Sequence, residues 1–225
     1  MVELQNISRK YNLGGESIHA LERVSLTIRD GEFVAIMGPS GSGKTTLLNI
    51  IGGLDQPDSG EVVVDGERIA RFKDKALSHY RNRKVGFVFQ SFNLQPTLTA
   101  LENVMVPLYF AKVSAGERSK RASSLLAKLG LSDRSKHRPK ELSGGQRQRV
   151  SIARALINEP SVILADEPTG NLDSKTGKEI VSLLKSLSRD RHVTVLMVTH
   201  DENMARIADR TIKILDGQIH PALRP

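Results

Sequence analysis

The run GPSGSGKTT, Gly38 to Thr46, constrains the chain more than any other feature. It satisfies G-x-x-x-x-G-K-[ST], and both flanks that give the pattern meaning are present. The buried-looking strand EFVAIM precedes it, and the apolar stretch TTLLNIIGGL after it predicts a helix from Lys44 through Ile51, closed by Gly52 and Gly53. A strand turning into a helix through bare backbone N–H groups makes a cradle for phosphate. Gly41 and Gly43 let the backbone fold round the anion without Cβ interference. Lys44 would reach the terminal phosphates, and the Thr45 hydroxyl would ligate Mg²⁺. Gly38, Ser40, Ser42 and Thr46 complete the loop's candidate contacts.

The rest of the chain is read around that loop. VELQNISRKY and SIHALERVSLTI predict strands, DSGEVVVDGERI a hairpin turning at Asp65-Gly66, and KVGFVFQ, Lys84 to Gln90, another strand. From Phe92 to Asn158 the apolar residues switch to helical spacing, in NLQPTLTALENVMVPL, AGERSKRASSLLAKLGL and GGQRQRVSIARALI. Alternation then resumes: SVILAD (strand), SKTGKEIVSLLKSLS (helix), VTVLMVTH (strand), ENMARIAD (helix), RTIKIL (strand). Such repetition predicts an α/β fold with a parallel sheet covered by helices. One domain over 1–225 is expected, with a core of about 1–90 and 159–225 and a helical subdomain of about 91–158.

Strand ends supply the remaining chemistry, because ligands of open parallel sheets bind beyond the carboxyl ends of the strands. VILADEPTG ends a buried strand in two carboxylates. Asp166 is the candidate for holding Mg²⁺ or its waters, which leaves Glu167 as general base for an attacking water. His200 closes VTVLMVTH at a comparable strand end, as a γ-phosphate contact. Gln90 closes KVGFVFQ and could reach metal or water through its amide oxygen. Tyr11 could stack on a flat base, although an N-terminal strand tyrosine is more often plain core.

Composition limits the partners. The 225 residues carry a formal charge of +8, favouring nucleic acid, anionic lipid or polyphosphate without choosing among them. There are no cysteines, which excludes disulfides, thiolate metal sites and Cys nucleophiles. The longest apolar runs, such as VTVLMV, fall far short of a membrane helix, so any dealing with a membrane is expected to go through another protein.

LSGGQRQRV, Leu142 to Val150, poses a puzzle, since a glycine pair ahead of a helix is a second phosphate-binding arrangement. A helix cap at Ser143 with a Gly-rich turn is compatible with the stretch. It leaves Gly144 and Gly145 unexplained. GPSGSGKT, FVFQ, LSGGQ, ILADEP, NLD and VTHD together, in this order, resemble the nucleotide-binding subunits of ATP-binding-cassette transporters over almost the whole chain. The resemblance implies a P-loop NTPase (RecA-like) core with an antiparallel β subdomain and an inserted α-helical subdomain. It implies ATP and Mg²⁺ as ligands, adenine stacking on Tyr11, and a head-to-tail pair with a second copy of the chain. In that pair Ser143, Gly144, Gly145 and Gln146 of one copy would face the γ-phosphate held on Lys44 of the other, with Asp173 at the seam. It further implies integral membrane permease subunits as partners and a peripheral place on the cytoplasmic face of the inner membrane.

Within the family, SFNLQPTLTALENVMVPL is most similar to the subgroup serving lipoprotein release, macrolide-type efflux and cell division. An amino-acid importer cassette is the nearest alternative. A cassette bound to DNA or the ribosome would carry two cassettes, a coiled-coil insertion or zinc-binding cysteines, so no nucleic acid is expected. A non-hydrolysing clamp is disfavoured because Lys44, Asp166, Glu167 and His200 are all present. The basic run RSKHRPK, Arg134 to Lys140, reads as a solvated face of the helical segment.

Overall fold

The computed structural model describes residues 1–14 and 16–220. Strands β3 (Phe33–Met37), β6 (Val85–Phe89), β7 (Val162–Asp166), β8 (Thr194–Val198) and β9 (Arg210–Leu215) form a parallel sheet in the order β9-β3-β8-β7-β6. A short strand, β10 (Gln218–His220), adds antiparallel to β9. Strands β3, β6, β7 and β8 read as nearly unbroken apolar runs because both faces are covered, whereas β9 alternates buried and exposed residues. Successive side chains point to opposite faces. Val34, Ile36, Leu164, Leu196 and Val198 therefore join one core, while Ala35, Ile163, Ala165, Val195 and Met197 join the other.

The first core is closed by helix α1 (Lys44–Ile51) and by a second, antiparallel sheet. That sheet runs β2-β1-β4-β5, from β1 (Val2–Leu13), β2 (Glu16–Ile28), β4 (Ser59–Val64) and β5 (Glu67–Arg68). The β4–β5 hairpin turns at Asp65-Gly66, both at positive φ, as expected for a two-residue turn. The second core is closed by α3 (Ala100–Phe110), α4 (Ala115–Lys128), α5 (Gly144–Leu156) and α6 (Ser174–Arg191). Thr99 opens α3 with a reciprocal capping box to Glu102.

Three elements depart from the sequence reading. Helix α2 (Asp74–Lys84) was not anticipated, because DKALSHYRNRK buries only Leu77 and Tyr80, too few apolar positions to set a period. Strand β10 follows an Asp216-Gly217 turn at positive φ, the same signal as Asp65-Gly66 but attached to only three residues. The ENMARIAD helix shrinks to α7 (Glu202–Ala205), capped by Asp201. Residues 221–225 lie outside the described residues.

Candidate functional site

Four strand ends converge on one edge of the parallel sheet. Beyond β3, the Gly38–Gly43 loop takes a shape only glycine allows. Gly38, Gly41 and Gly43 have φ of 157°, 78° and 100°. A Cβ on Gly38 would lie 2.1 Å from the Ile214 carbonyl oxygen, and one on Gly43 2.2 Å from that of Ala20. Gly41 instead faces open space, with Ser40 exposed beside it. Lys44 is buried, and its ammonium donates to the Gly38 and Pro39 carbonyls at 2.9 and 2.7 Å, which holds it in the mouth of the loop. The buried Ser42 hydroxyl has no partner among the described residues, an orphan that a phosphate oxygen would satisfy. Helix α1 begins on Gly43 with no side-chain cap and no acid in its first turn, so its N–H groups and positive dipole end face the loop unopposed. Thr46 lies half-buried in that first turn.

Asp166 ends β7 within reach of α1. The Thr45 hydroxyl donates to it at 3.3 Å. Burial raises the Asp166 carboxyl above its ordinary value; the Thr45 hydrogen bond opposes this, the Glu167 charge adds to it and Lys44 opposes it. A hydroxyl beside a carboxylate that burial leaves under-solvated fits a small hard cation. Among the described residues there is no cluster of three or more His, Asp or Glu side chains for a metal. Mg²⁺ needs few protein ligands, since it completes its shell with phosphate oxygens and water.

Glu167 adopts φ 46°, a left-handed conformation uncommon for a residue with a side chain and worth about 1 kcal/mol or more of strain. Its N–H is anchored to the Val198 carbonyl at 3.0 Å and its own carbonyl accepts from Gly170 N–H at 3.1 Å. The turn brings its carboxylate to 3.3 Å from Nδ1 of His200, which stands largely exposed past β8. Gln90 follows β6. Its side chain packs on Gly170, where a Cβ would approach its Nε2 to 2.5 Å, and Asn171 Nδ2 donates to its carbonyl at 3.0 Å. Its amide makes no hydrogen bond to Thr45 or Asp166 among the described residues.

Tyr11 is fixed on two sides. Its hydroxyl donates to Asp55 at 2.5 Å, and the Arg9 guanidinium sits 4.8 Å from the ring centroid, so a base would stack on the other face. Asp173 caps α6, accepting from the N–H groups of Lys175 and Thr176 at 3.1 and 3.0 Å; a hydrogen bond with the Thr176 side chain, followed by the Thr176 N–H, lowers its carboxyl below the ordinary value.

Ser143 caps α5, which begins at Gly144, so the glycine pair lies inside the first turn and not ahead of the helix. Ser143 Oγ accepts from Gln146 N–H, while Gln146 Oε1 accepts from Ser143 N–H. The glycine pair is not unexplained after all. A Cβ on Gly144 would come to 2.9 Å from Leu172 Cδ2, and one on Gly145 to 2.6 Å from Thr176 Cγ2. Both glycines seat α5 against the start of α6 in the same chain. The α5 N-terminus has no acid in its first turn, and Ser143 is exposed.

One polar residue was missed. Gln148 on α5 is 0% exposed, with Nε2 donating to the Pro168 carbonyl at 2.7 Å and the Phe89 carbonyl at 3.5 Å. Nothing in LSGGQRQRV distinguishes it from its polar neighbours.

Comparison with known proteins identifies the family. The family model described as ABC transporter matches residues 21–170. The ABC transporter ATP-binding protein MJ0796 of Methanocaldococcus jannaschii is 53% identical, covering 97% of this chain and 95% of that protein. The lipoprotein-releasing system ATP-binding protein LolD of Bacteroides thetaiotaomicron is 49% identical over 97% of this chain and 99% of its own. The macrolide export ATP-binding/permease protein MacB of Wolinella succinogenes is 52% identical over 97% of this chain, which spans 34% of that longer protein. A dimeric structure of MJ0796 in a post-hydrolysis state, bound to ADP and Pi, superposes with a TM-score of 0.90 at 52% identity, with both chains covered completely. The chain belongs to the ABC transporter family, as one of its ATP-hydrolysing, Mg²⁺-using cassettes.

Proposed function

We propose that two copies pair head to tail around two MgATP, and that closing and opening of this pair drives separate membrane subunits of an export or lipoprotein-release system. One observation carries the reading. The chain has two helix starts suited to an anion, at α1 and α5, and the Gly144–Gly145 turn packs on Leu172 and Thr176, not on the phosphate loop. Within one copy the second anion site faces no nucleotide. A two-fold pair resolves this, since each α5 start can meet the phosphate on the other copy's Lys44. The dimeric relative and the LolD and MacB matches support the pairing and favour export over amino-acid import.

In this reading Lys44 and the Gly38–Gly43 backbone hold the β- and γ-phosphates, and Tyr11 stacks on adenine. Thr45, Asp166 and Gln90 would hold the Mg²⁺, which would neutralise phosphate charge. Water attacks the γ-phosphorus, the bond to the bridging oxygen breaks, and ADP leaves with the electron pair. Glu167 takes the water's proton and His200 steadies the Glu167 carboxylate and the γ-phosphate. The Ser143–Gln146 turn and Asp173 act across the seam. Contacts made only in the closed pair supply the differential affinity that shifts the equilibrium.

Residues 91–158 form the part that transmits the motion. Phe92 and Asn93, both at positive φ, are gripped by α5: Arg154 donates to their carbonyls at 2.9 and 2.5 Å, and Arg147 stacks 4.9 Å from the Phe92 ring. Beside them a cavity of about 750 Å³ exposes Leu54, Phe89 and Phe110, with Lys75, Arg81 and Arg154 and no carboxylate on its walls. A cytoplasmic segment of the membrane subunit carrying an acidic residue suits it. Among the described residues no helix is long and apolar enough to cross a membrane. Glu167→Gln tests the chemistry: it should retain ATP, accumulate as a dimer and lose at least about a hundredfold in turnover. Wild-type turnover in that variant refutes the role.

A further inference from the structure

We infer that Gln148 is a positioning residue for the catalytic carboxylate, joining the α5 start to the strand ends that carry Gln90 and Glu167. The inference rests on the hydrolytic reading above and adds a residue to it. The side-chain amide of Gln148 is wholly buried and reaches two backbone carbonyls, Pro168 at 2.7 Å and Phe89 at 3.5 Å. Pro168 directly follows Glu167, and Phe89 directly precedes Gln90. A single NH₂ group therefore ties α5 to the residues next to both candidates. Only the amide nitrogen can face two carbonyl oxygens, so the orientation of the group is fixed by its partners.

The rest of the α5 seat has the same character. The capping box that opens the helix runs from Ser143 to Gln146 and ends two residues upstream, and Gly144 and Gly145 pack on Leu172 and Thr176, which lie on the segment continuing from Glu167. The Gln148 Oε1 and, one turn on, the Ser151 hydroxyl are buried without a partner among the described residues. Buried polar groups left half-satisfied weaken the hold of an interface. A seat of this kind can shift when the α5 start gains or loses a phosphate. The Gln148 amide carries that shift to Pro168, hence to the strained turn at Glu167 whose φ of 46° sets the carboxylate's direction. Misplacing a catalytic group by a fraction of an ångström to 1 Å costs about ten- to a hundredfold in rate.

The test compares steady-state ATP hydrolysis by the purified full chain with Gln148→Met, which keeps the volume and removes the donors. Ser151→Ala, on the same buried face but with a hydroxyl that makes no hydrogen bond to either strand end, is the control. The expected result for Gln148→Met is a fall in kcat of about tenfold or more, with KM for ATP within about twofold of wild type. Ser151→Ala should keep wild-type kcat. If Gln148→Met does not fold, Gln148→Glu, which replaces the donor with an acceptor at the same volume, is measured in its place and should show the same split. The inference is overturned by a kcat within about twofold of wild type, by a loss confined to KM, by an equal loss in Ser151→Ala, or by failure of both Gln148 variants to fold. Absence of hydrolysis by the wild-type chain would instead refute the hydrolytic reading itself.

Discussion

Replacing Gly145 with alanine tests why the glycine is there. The position is the second residue of α5 with ordinary helical backbone, so alanine meets no φ penalty and gains about 0.5–1 kcal/mol of helix preference. Against that, its Cβ would stand 2.6 Å from Thr176 Cγ2, and the two elements must separate by about 1 Å to restore ordinary contact. Thr176 cannot yield freely, because its N–H is held by the Asp173 carboxylate in the cap of α6. Overpacking of this kind costs about 1–3 kcal/mol, so the net loss is about 1–2 kcal/mol. For a chain of this size that lowers the thermal midpoint by about 3–6 °C. The atom responsible can be removed alone. Thr176→Ser deletes Cγ2, after which the nearest remaining atom is Thr176 Cβ at 4.0 Å. The double variant should recover the wild-type midpoint and most ATP turnover, measured by calorimetry and by phosphate release. A double variant as unstable as Gly145→Ala alone would refute the packing explanation. Restored stability without restored turnover would show that the glycine also serves the partner's phosphate.

Asp166→Asn should raise the thermal midpoint of the nucleotide-free protein at neutral pH while abolishing Mg²⁺-dependent hydrolysis. Burial raises this carboxyl's folded value, so its contribution favours the fold at pH below the unfolded carboxyl's range and is lost as pH rises through the folded value. At neutral pH the ionised group is a net cost, and a lowered midpoint in Asp166→Asn would contradict the sign. Tyr11→Phe keeps the ring face under Arg9 and loses only the Asp55 bond, so KM for ATP should rise less than about threefold, whereas Tyr11→Ala should raise it about tenfold or more. Equal effects from the two would remove stacking as the role of the ring.

Much of this arrangement is legible in the sequence because it is local. The phosphate loop is read from glycines whose positive φ values follow from the turn itself, and the strand-end residues follow from unbroken apolar runs. Three things are not local. Helix α2 buries two residues in eleven and has no periodic signature. The reason for Gly144 and Gly145 lies about thirty residues downstream, in Leu172 and Thr176, and no spacing rule reveals a contact between two helix starts. Gln148 looks like a solvated polar residue until α5 is laid against Phe89 and Pro168. The Asp216-Gly217 turn, by contrast, was readable and was passed over because its second strand is three residues long.

Specific ATPase activity measured across protein concentration, with sedimentation at each point, bears most directly on the claim that each nucleotide site is completed by a second copy. Turnover per chain should rise with concentration and track the dimer fraction formed with MgATP. Constant turnover per chain, at full rate where sedimentation shows monomer alone, would contradict it.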